Sequence, residues 1–326
     1  RSDAGSPEKL VATVLAGTTA EFRDLTRALS AEGLGLRRVA AQLEARLDPG
    51  DRTAGAALDP IADDGTAVMG ILNVTPDSFH DGGEYNAVEA AVDRAAAMLD
   101  AGADIVDVGG ESTRPGAEPV PVDTEIDRVV PVIERLDGLD APISVDTRKA
   151  AVADAALEAG ADIVNDVSEL ADPAMPAVIA DHDASLILMH SHSVPVDPDT
   201  NPVYDDVVED VLEELTEQLL RAERAGIDRD NVVIDPGCGF GKTAAESCEL
   251  IDRVGEFEAL GCPVMVGHSR KSMFEGADAA DDDRLTPTLA ATAIAADRGA
   301  DVVRVHDVAE NVAAIRAATR RLHPDG

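Results

Sequence analysis

The stretch ADIVDVGGESTRPG, residues 103–116, decides the fold class of this chain of 326 residues. Within it, a short β-branched run, Asp104 to Val108, follows a helix-stopping glycine, Gly102, and ends in a polar loop that contains glycine. Such a run, bounded by glycines and too short for a helix, is typical of a buried strand in a parallel sheet. The same unit recurs along the chain.

From residue 67 onward, short apolar runs alternate with alanine-rich segments of helical spacing, such as 87–100, 203–225 and 285–298. The runs are Ala67 to Leu72, Asp104 to Val108, Ile143 to Val145, Asp162 to Val164, Ser185 to Met189, Val232 to Ile234, Val264 to Val266 and Asp301 to Val305. Four of the segments end at Gly102, Gly160, Gly226 and Gly299, as helix stops. Eight strand–helix pairs in about 250 residues predict an α/β fold, a (β/α)8 TIM barrel. An open doubly wound sheet is the alternative, disfavoured because no GxGxxG follows the first strand.

The barrel is predicted to span residues 67–322, and residues 1–66 form a short helical N-terminal extension. Two helices are expected there, Thr19 to Glu32 and Arg37 to Arg46, followed by a linker rich in Gly, Pro and Asp that runs to Gly65. Because the chain starts at Arg1 and not at Met, one hypothesis makes this extension the tail of an upstream fused domain.

The composition is strongly acidic, with 27 Lys plus Arg against 64 Asp plus Glu and a formal net charge of -37. Salt screens such self-repulsion, so we expect a halophilic protein. A nucleic-acid role is not expected, because no basic patch interrupts the acid. A membrane span is not expected either, because no apolar run approaches about 20 residues. Three cysteines without CxxC pairs indicate neither disulfides nor a zinc site, and a cytoplasmic location is expected.

Polar residues follow every predicted strand. One such stretch would more often be a turn or a helix cap, but eight at one face of a barrel predict a binding site. Three of the four lysines, Lys149, Lys242 and Lys271, lie at or beside these strand ends. Lysine retained in a chain that otherwise uses arginine suggests a task for a compact, three-donor charge.

The motifs GILNVTPDSF (70–79), GGESTRPG (109–116), SVDT (144–147), DPGCGFGK (235–242), SRKS (269–272) and RVHD (304–307) occur together. With them, residues 67–322 resemble the dihydropteroate synthases of folate biosynthesis. The resemblance implies a transferase that joins p-aminobenzoate to 6-hydroxymethyl-7,8-dihydropterin diphosphate, releases pyrophosphate and uses Mg²⁺. The alternatives are a pterin-dependent methyltransferase barrel and a non-catalytic pterin-binding homologue.

The resemblance also implies site residues. The pterin ring would be held by Asp146, Asn165, Asp235 and Lys271, with Met189 and Arg304 against its faces. Diphosphate and Mg²⁺ would contact Asn73, Thr113, Arg304 and His306. The p-aminobenzoate pocket would be shaped by Phe79, Thr113, Arg114, Pro115, Phe240 and Ser269. Asp81 would lie near the reacting methylene group.

The catalytic residues are therefore expected to be Asp81, Lys271, Arg304 and His306, with no nucleophilic side chain, because an arylamine is already neutral at pH 7. A homodimer and a fusion to an upstream folate-pathway domain are also expected. The fifth loop, Met189-His190-Ser191-His192-Ser193, departs from the family because it lacks the glycine common after this motif.

Overall fold

The computed structural model describes residues 56–62, 65–74, 84–111, 119–192, 202–274 and 284–319, together with Leu25, Arg27 and Ala28. Contacts divide the chain into two compact units, residues 1–50 and 51–326, and the sheet lies in the second. No helix among the described residues is long and apolar enough to cross a membrane.

Eight parallel strands form one sheet in the order β6-β5-β4-β3-β2-β1-β8-β7. They are β1 (Ala67–Asn73), β2 (Ile105–Gly109), β3 (Ile143–Asp146), β4 (Ile163–Asp166), β5 (Ser185–Met189), β6 (Val232–Asp235), β7 (Met265–Val266) and β8 (Val302–Val305). A parallel bridge between Ile234 and Val264, with Ile234 N donating to Pro263 O at 2.8 Å, joins β6 to β7. This bridge closes the barrel, so the TIM-barrel prediction is confirmed.

A helix follows every strand. After a short helix α1 (Asp59–Ala62), these are α2 (Glu84–Asp100), α3 (Val122–Leu136), α4 (Ala150–Glu158), α5 (Met175–Asp181), α6 (Val207–Ala225), α7 (Ala244–Asp252), α8 (Leu285–Asp297) and α9 (Val308–Thr319). The glycine stops are confirmed: Gly102, Gly160, Gly226 and Gly299 have φ of 98°, 109°, 103° and 96°, a conformation that suits glycine.

The amino-terminal end of the barrel interior is an apolar layer. One inward residue from most strands contributes to it: Ala67, Met69, Ile105, Ile163, Ile187, Val233, Met265 and Val302. Leu58 and Ile61, from the helical turns at residues 56–62, pack into the same cluster with 0% and 5% of their surface exposed. Part of the predicted linker is therefore helical and packed into the barrel, while the domain division at residue 66 itself stays a prediction.

Successive side chains of a strand alternate between the barrel interior and the helices. Two residues beyond the apolar layer, the inward positions are Ile71, Asp107, Asn165, Met189, Asp235, Gly267 and Arg304. Four of these seven are polar or charged, so the barrel interior changes character within two residues. The candidate site begins at this change.

Candidate active site

Arg304 lies at the centre of the polar layer. Its Nε donates to Asp107 Oδ2 at 2.6 Å, and its Nη2 donates to Asp146 Oδ2. Asn165 Nδ2 donates to the same oxygen of Asp107 at 3.2 Å. Three strands, β2, β3 and β8, therefore meet through one guanidinium, whose plane is fixed by two carboxylates, and β4 joins them through Asp107.

The charges in this group are strongly coupled. Burial raises the pKa of Asp146 to about 7, with Arg304 opposing the change and Asp107 adding to it. Burial by itself would lower the pKa of Arg304, but the carboxylates of Asp107 and Asp146 raise it above its usual value. The guanidinium therefore remains charged although it is largely withdrawn from water.

Asp235, buried at the end of β6, and Lys271, half-buried after β7, form a second charged group near the layer. A side chain at Gly267 would place its Cβ 3.3 Å from Asp235 Oδ2 and 3.9 Å from Lys271 Nζ, so this glycine leaves room for both groups. Burial raises the pKa of Asp235 and lowers that of Lys271, and each group's charge opposes the shift of the other. Lys271 also donates to Cys238 O at 2.6 Å and lies 4.4 Å from the centre of the Phe240 ring.

Two buried acceptors of this layer have no hydrogen-bond partner among the described residues: Asp107 Oδ1 and Asn165 Oδ1. Leaving a buried acceptor unpaired costs free energy, so such atoms are candidates for contact with a ligand's donors. Met189, which belongs to this layer, forms a small apolar cluster with Val167 and Phe240. Donors, acceptors and an apolar wall suit a flat, polar heterocycle.

Ser269 and His306 extend the site beyond β7 and β8. Ser269 Oγ accepts from His306 N at 3.2 Å and lies 3.0 Å from His306 Nδ1. Because its hydroxyl already accepts from the backbone, its proton can be donated to Nδ1. This contact orients the imidazole of His306, which lies two residues after Arg304. Together the two side chains offer a cationic, hydrogen-bonding surface that suits a phosphate.

Lys149, which follows β3, donates hydrogen bonds to groups on both sides of the loop after β2. Its Nζ donates to Glu111 Oε1 at 3.0 Å, to Val120 O at 2.7 Å and to Glu125 Oε2. Glu111 Oε1 accepts from Val120 N at 2.7 Å. These contacts join Glu111 and Val120, which lie on the two sides of segment 112–118.

The third strand-end lysine, Lys242, supports the loop after β6. Its Nζ donates to the carbonyl oxygens of Gly237 and Phe240, both at 3.1 Å, and to His190 Nδ1 at 2.9 Å. His190 Nε2 in turn lies 3.0 Å from Glu214 Oε2. Burial lowers the pKa of His190 to about 4, so the ring is neutral near pH 7 and can accept from Lys242 through Nδ1 while donating through Nε2.

Comparison with known proteins decides the family. Residues 69–306 match the family model described as "Pterin binding enzyme". The chain is 44% identical over 257 residues to the dihydropteroate synthase of Escherichia coli, which covers 78% of this chain and 91% of that protein. The chain belongs to the dihydropteroate synthase family.

Solved members of the family have the same architecture. A Yersinia pestis dihydropteroate synthase with a sulfonamide drug superposes with a TM-score of 0.76 at 40% identity, covering 83% of this chain and 98% of that one. A Xanthomonas albilineans dihydropteroate synthase with 4-aminobenzoic acid gives 0.73 at 44% identity, covering 80% and 94%.

The chain is also 56% identical over 330 residues to a probable bifunctional folylpolyglutamate synthase/dihydropteroate synthase of Haloferax volcanii. That alignment covers 97% of this chain and 39% of the relative. A similar relative from Halobacterium salinarum is 57% identical, with 38% of its length covered. The chain thus spans about two fifths of the length of these two relatives.

Several site residues predicted from the family motifs converge in the barrel interior and beside it. They are Asp146, Asn165, Met189, Asp235, Phe240, Ser269, Lys271, Arg304 and His306, with Asn73 at the end of β1. Phe79, Asp81, Thr113, Arg114 and Pro115 lie outside the described residues, and their roles stay predictions.

Asp107, Glu111, Lys149, His190 and Lys242 form the supporting contacts, and the family motifs led to no role for any of them. A signal for Asp107 existed in the sequence. It lies two residues after Ile105 in an otherwise apolar strand, so it must share the inward face of that strand. The side-chain partners of the two lysines, Glu111, Glu125 and His190, are 24 to 52 residues away, beyond the reach of local pattern.

Proposed function

We propose that this protein is a dihydropteroate synthase, which condenses p-aminobenzoate with 6-hydroxymethyl-7,8-dihydropterin diphosphate to give 7,8-dihydropteroate and pyrophosphate in folate biosynthesis. The observation that carries the proposal is the polar layer inside the barrel. There Asp235 and Lys271 lie beside Gly267, and the unpaired acceptors of Asp107 and Asn165 lie in the same barrel interior. The synthases named above, as family members of similar architecture, support the same activity.

Recognition of the pterin follows from donor and acceptor types. The aminopyrimidinone edge presents an amine beside a ring N–H, which the carboxylate of Asp235 can accept as a pair. Gly237 N already donates to Asp235 Oδ1 at 2.8 Å, and this bond orients the carboxylate. Lys271 can donate to carbonyl and nitrogen acceptors of the ring, and Met189 supplies an apolar contact.

The reaction needs electrostatic stabilisation and positioning, and no nucleophilic side chain. The amine nitrogen forms a bond to the pterin methylene carbon, and the carbon–oxygen bond to diphosphate breaks with its electron pair leaving on oxygen. The amine then releases one proton. Arg304 and His306 would stabilise the charge on the leaving oxygen, with Ser269 orienting His306. We also propose that Thr113, Arg114 and Pro115 position the amine. Asp81 would lie near the reacting methylene group.

The magnesium expected from the family fits the residues at the end of β1. Asn73 Oδ1 and Asp146 Oδ2 lie 3.6 and 3.8 Å from the position that a Cβ on Gly109 would occupy, so a glycine leaves space between two oxygen donors. Mg²⁺ prefers oxygen ligands and is commonly held by one or two protein groups plus substrate phosphates. Asn73 would be the protein ligand, and the ion would neutralise charge on the diphosphate.

The setting of the reaction is also proposed. The net charge of -37 suits a halophilic cytoplasm. The bifunctional haloarchaeal relatives support the idea that an upstream folylpolyglutamate synthase domain is fused to this chain. A homodimer stays a prediction from the family.

The test is pyrophosphate release in about 1 M KCl, where the Debye length is about 3 Å. Release should require pterin diphosphate, p-aminobenzoate and Mg²⁺ together, and 7,8-dihydropteroate should appear in equal amount. Pyrophosphate release that ignores the arylamine would indicate hydrolysis and refute the synthase. Binding of the pterin without any turnover would indicate the non-catalytic alternative.

A further inference from the structure

A second polar cluster lies beside the pterin pocket, where the end of β5 faces α6. His190 Nε2 is 3.0 Å from Glu214 Oε2, and His192 Nδ1 is 3.9 Å from the same oxygen. The two imidazole rings are 5.0 Å apart between centroids and nearly perpendicular. The proposed synthase reaction uses neither His192 nor Glu214.

The three donor atoms are spaced as ligands of one ion. One ligand atom each from His190, His192 and Glu214 lies within 4.8 Å of the other two. Nitrogen and oxygen ligands about 2.1 Å from a tetrahedral zinc ion are about 3.4 Å apart, and the two separations from Glu214 straddle that value. Small side-chain rotations would bring them to a common centre.

A cavity of about 480 Å³ opens on His192 and Glu214. No lysine or arginine lines it among the residues that the structure describes. Its lining includes His192 and the carboxylates of Asp205, Asp210, Glu213, Glu214 and Glu217. The cavity would therefore concentrate cations and leave a coordination position open to water.

Neighbouring groups orient the two histidines. His192 Nε2 lies 2.8 Å from Tyr204 Oη, which holds the ring with Nδ1 towards Glu214. Glu169 Oε1 is 3.9 Å from His190 Nε2 and could supply a fourth ligand. His190 Nδ1 accepts from Lys242, so ligation through Nε2 would move the ring proton to Nδ1. Lys242 would then keep only its carbonyl partners, Gly237 and Phe240. This competition lowers the expected affinity without removing a ligand.

We propose that His190, His192 and Glu214 bind a divalent transition-metal ion of the zinc class. Imidazole ligands favour Zn²⁺, Ni²⁺ and Co²⁺, whereas Mg²⁺ favours carboxylate, carbonyl and water oxygens. The site is therefore distinct in chemistry from the magnesium position proposed at Asn73, and it does not depend on the synthase activity.

The experiment is calorimetric titration of ZnCl₂ into the metal-free protein in about 1 M KCl with excess MgCl₂, in a Cys248→Ser background. The substitution removes an exposed free thiol that would bind zinc by itself. One ion should bind per chain, and His192→Asn and Glu214→Gln should each weaken binding at least tenfold. The matched control is His182→Asn, because His182 pairs with a single carboxylate, Asp154, at 2.8 Å, and should leave binding unchanged. Circular dichroism verifies that each variant is folded.

High salt and magnesium separate coordination from simple charge attraction, because both suppress cation binding by a cluster of carboxylates. Zinc binding that disappears under these conditions, or that survives in His192→Asn, would overturn the proposal. Co²⁺ gives a second measurement: visible absorption of a tetrahedral site should appear in the parent protein and be lost in His192→Asn. An octahedral spectrum insensitive to that substitution would equally refute it.

Discussion

The two ends of the barrel interior differ in the polarity of their side chains. At the amino-terminal end, Leu58 and Ile61 complete an apolar layer. Two residues further along the same strands, Asp107, Asn165, Asp235 and Arg304 replace that layer with buried charge and unpaired acceptors. The same inward positions of the same strands thus serve packing at one end and ligand recognition at the other. Stability should depend on the first end and binding on the second.

The largest effect should come from removing the apolar end. A chain that starts at residue 51 keeps Leu58 and Ile61, whereas one that starts at residue 64 loses both. Deleting a buried Leu or Ile side chain costs about 2–5 kcal/mol, so the shorter chain should lose most of a typical domain's stability of about 5–15 kcal/mol. Thermal unfolding of both in high salt measures this. Equal melting temperatures would show that residues 56–62 are dispensable.

The second effect concerns the polar end alone. Asp235→Asn replaces an accepting oxygen with a donor that faces the donors of the pterin, so pterin affinity should fall by about 2–4 kcal/mol while the fold is retained. Asp166→Asn is the matched control. Asp166 is also buried at a strand end, but it follows the inward Asn165 and so faces the helices, where it binds Ser168. Calorimetry with pterin diphosphate should separate the two variants, and equal losses would contradict the assignment of Asp235.

A smaller effect is expected from a residue that acts on the site through the backbone. Lys242→Met removes the donor to Gly237 O and Phe240 O, so the loop that carries Phe240 and the Cys238 carbonyl should lose its fixed shape. Pterin affinity should fall about tenfold, or about 1.4 kcal/mol. The Michaelis constant for the pterin should rise more than the turnover number falls. A change confined to turnover would place Lys242 in the chemical step instead.

The last effect is gradual and depends on pH. His268 is buried against Thr288 and Thr292, and burial lowers its pKa to about 4, whereas the unfolded chain binds the same proton near pH 6.5. A depressed pKa contributes stability that is present above pH 6.5 and lost as pH falls towards 4. Relative to His268→Gln, the parent should lose about 1.4 kcal/mol per pH unit across that window. Chemical unfolding at several pH values measures the difference, which Leu58→Ala should not alter. If the free energy of unfolding has the same pH dependence in the parent and in His268→Gln, the role assigned to His268 is wrong.

The sequence predicted the strands well because each is a short run bounded by glycine or polar residues. Predicted and observed strands agree to within one or two residues, from Ala67 in β1 to Val305 in β8. It predicted less of the supporting contacts. Residues 56–62 contain only Leu58 and Ile61 as large apolar side chains, too few to indicate a packed segment, and their burial exists only because eight strands leave an open end.

What the sequence determined by itself was the periodic part: eight strand–helix units, their glycine stops and the motifs that identify the family. Those features are local, and backbone geometry and burial translate them directly into elements. The tertiary structure alone decided which charges meet. Arg304 joins Asp107 and Asp146 across 197 and 158 residues, and Lys242 reaches His190 across 52. Barrel closure produces the contacts of Arg304, because it brings the first and last strands side by side, and no local pattern records that meeting.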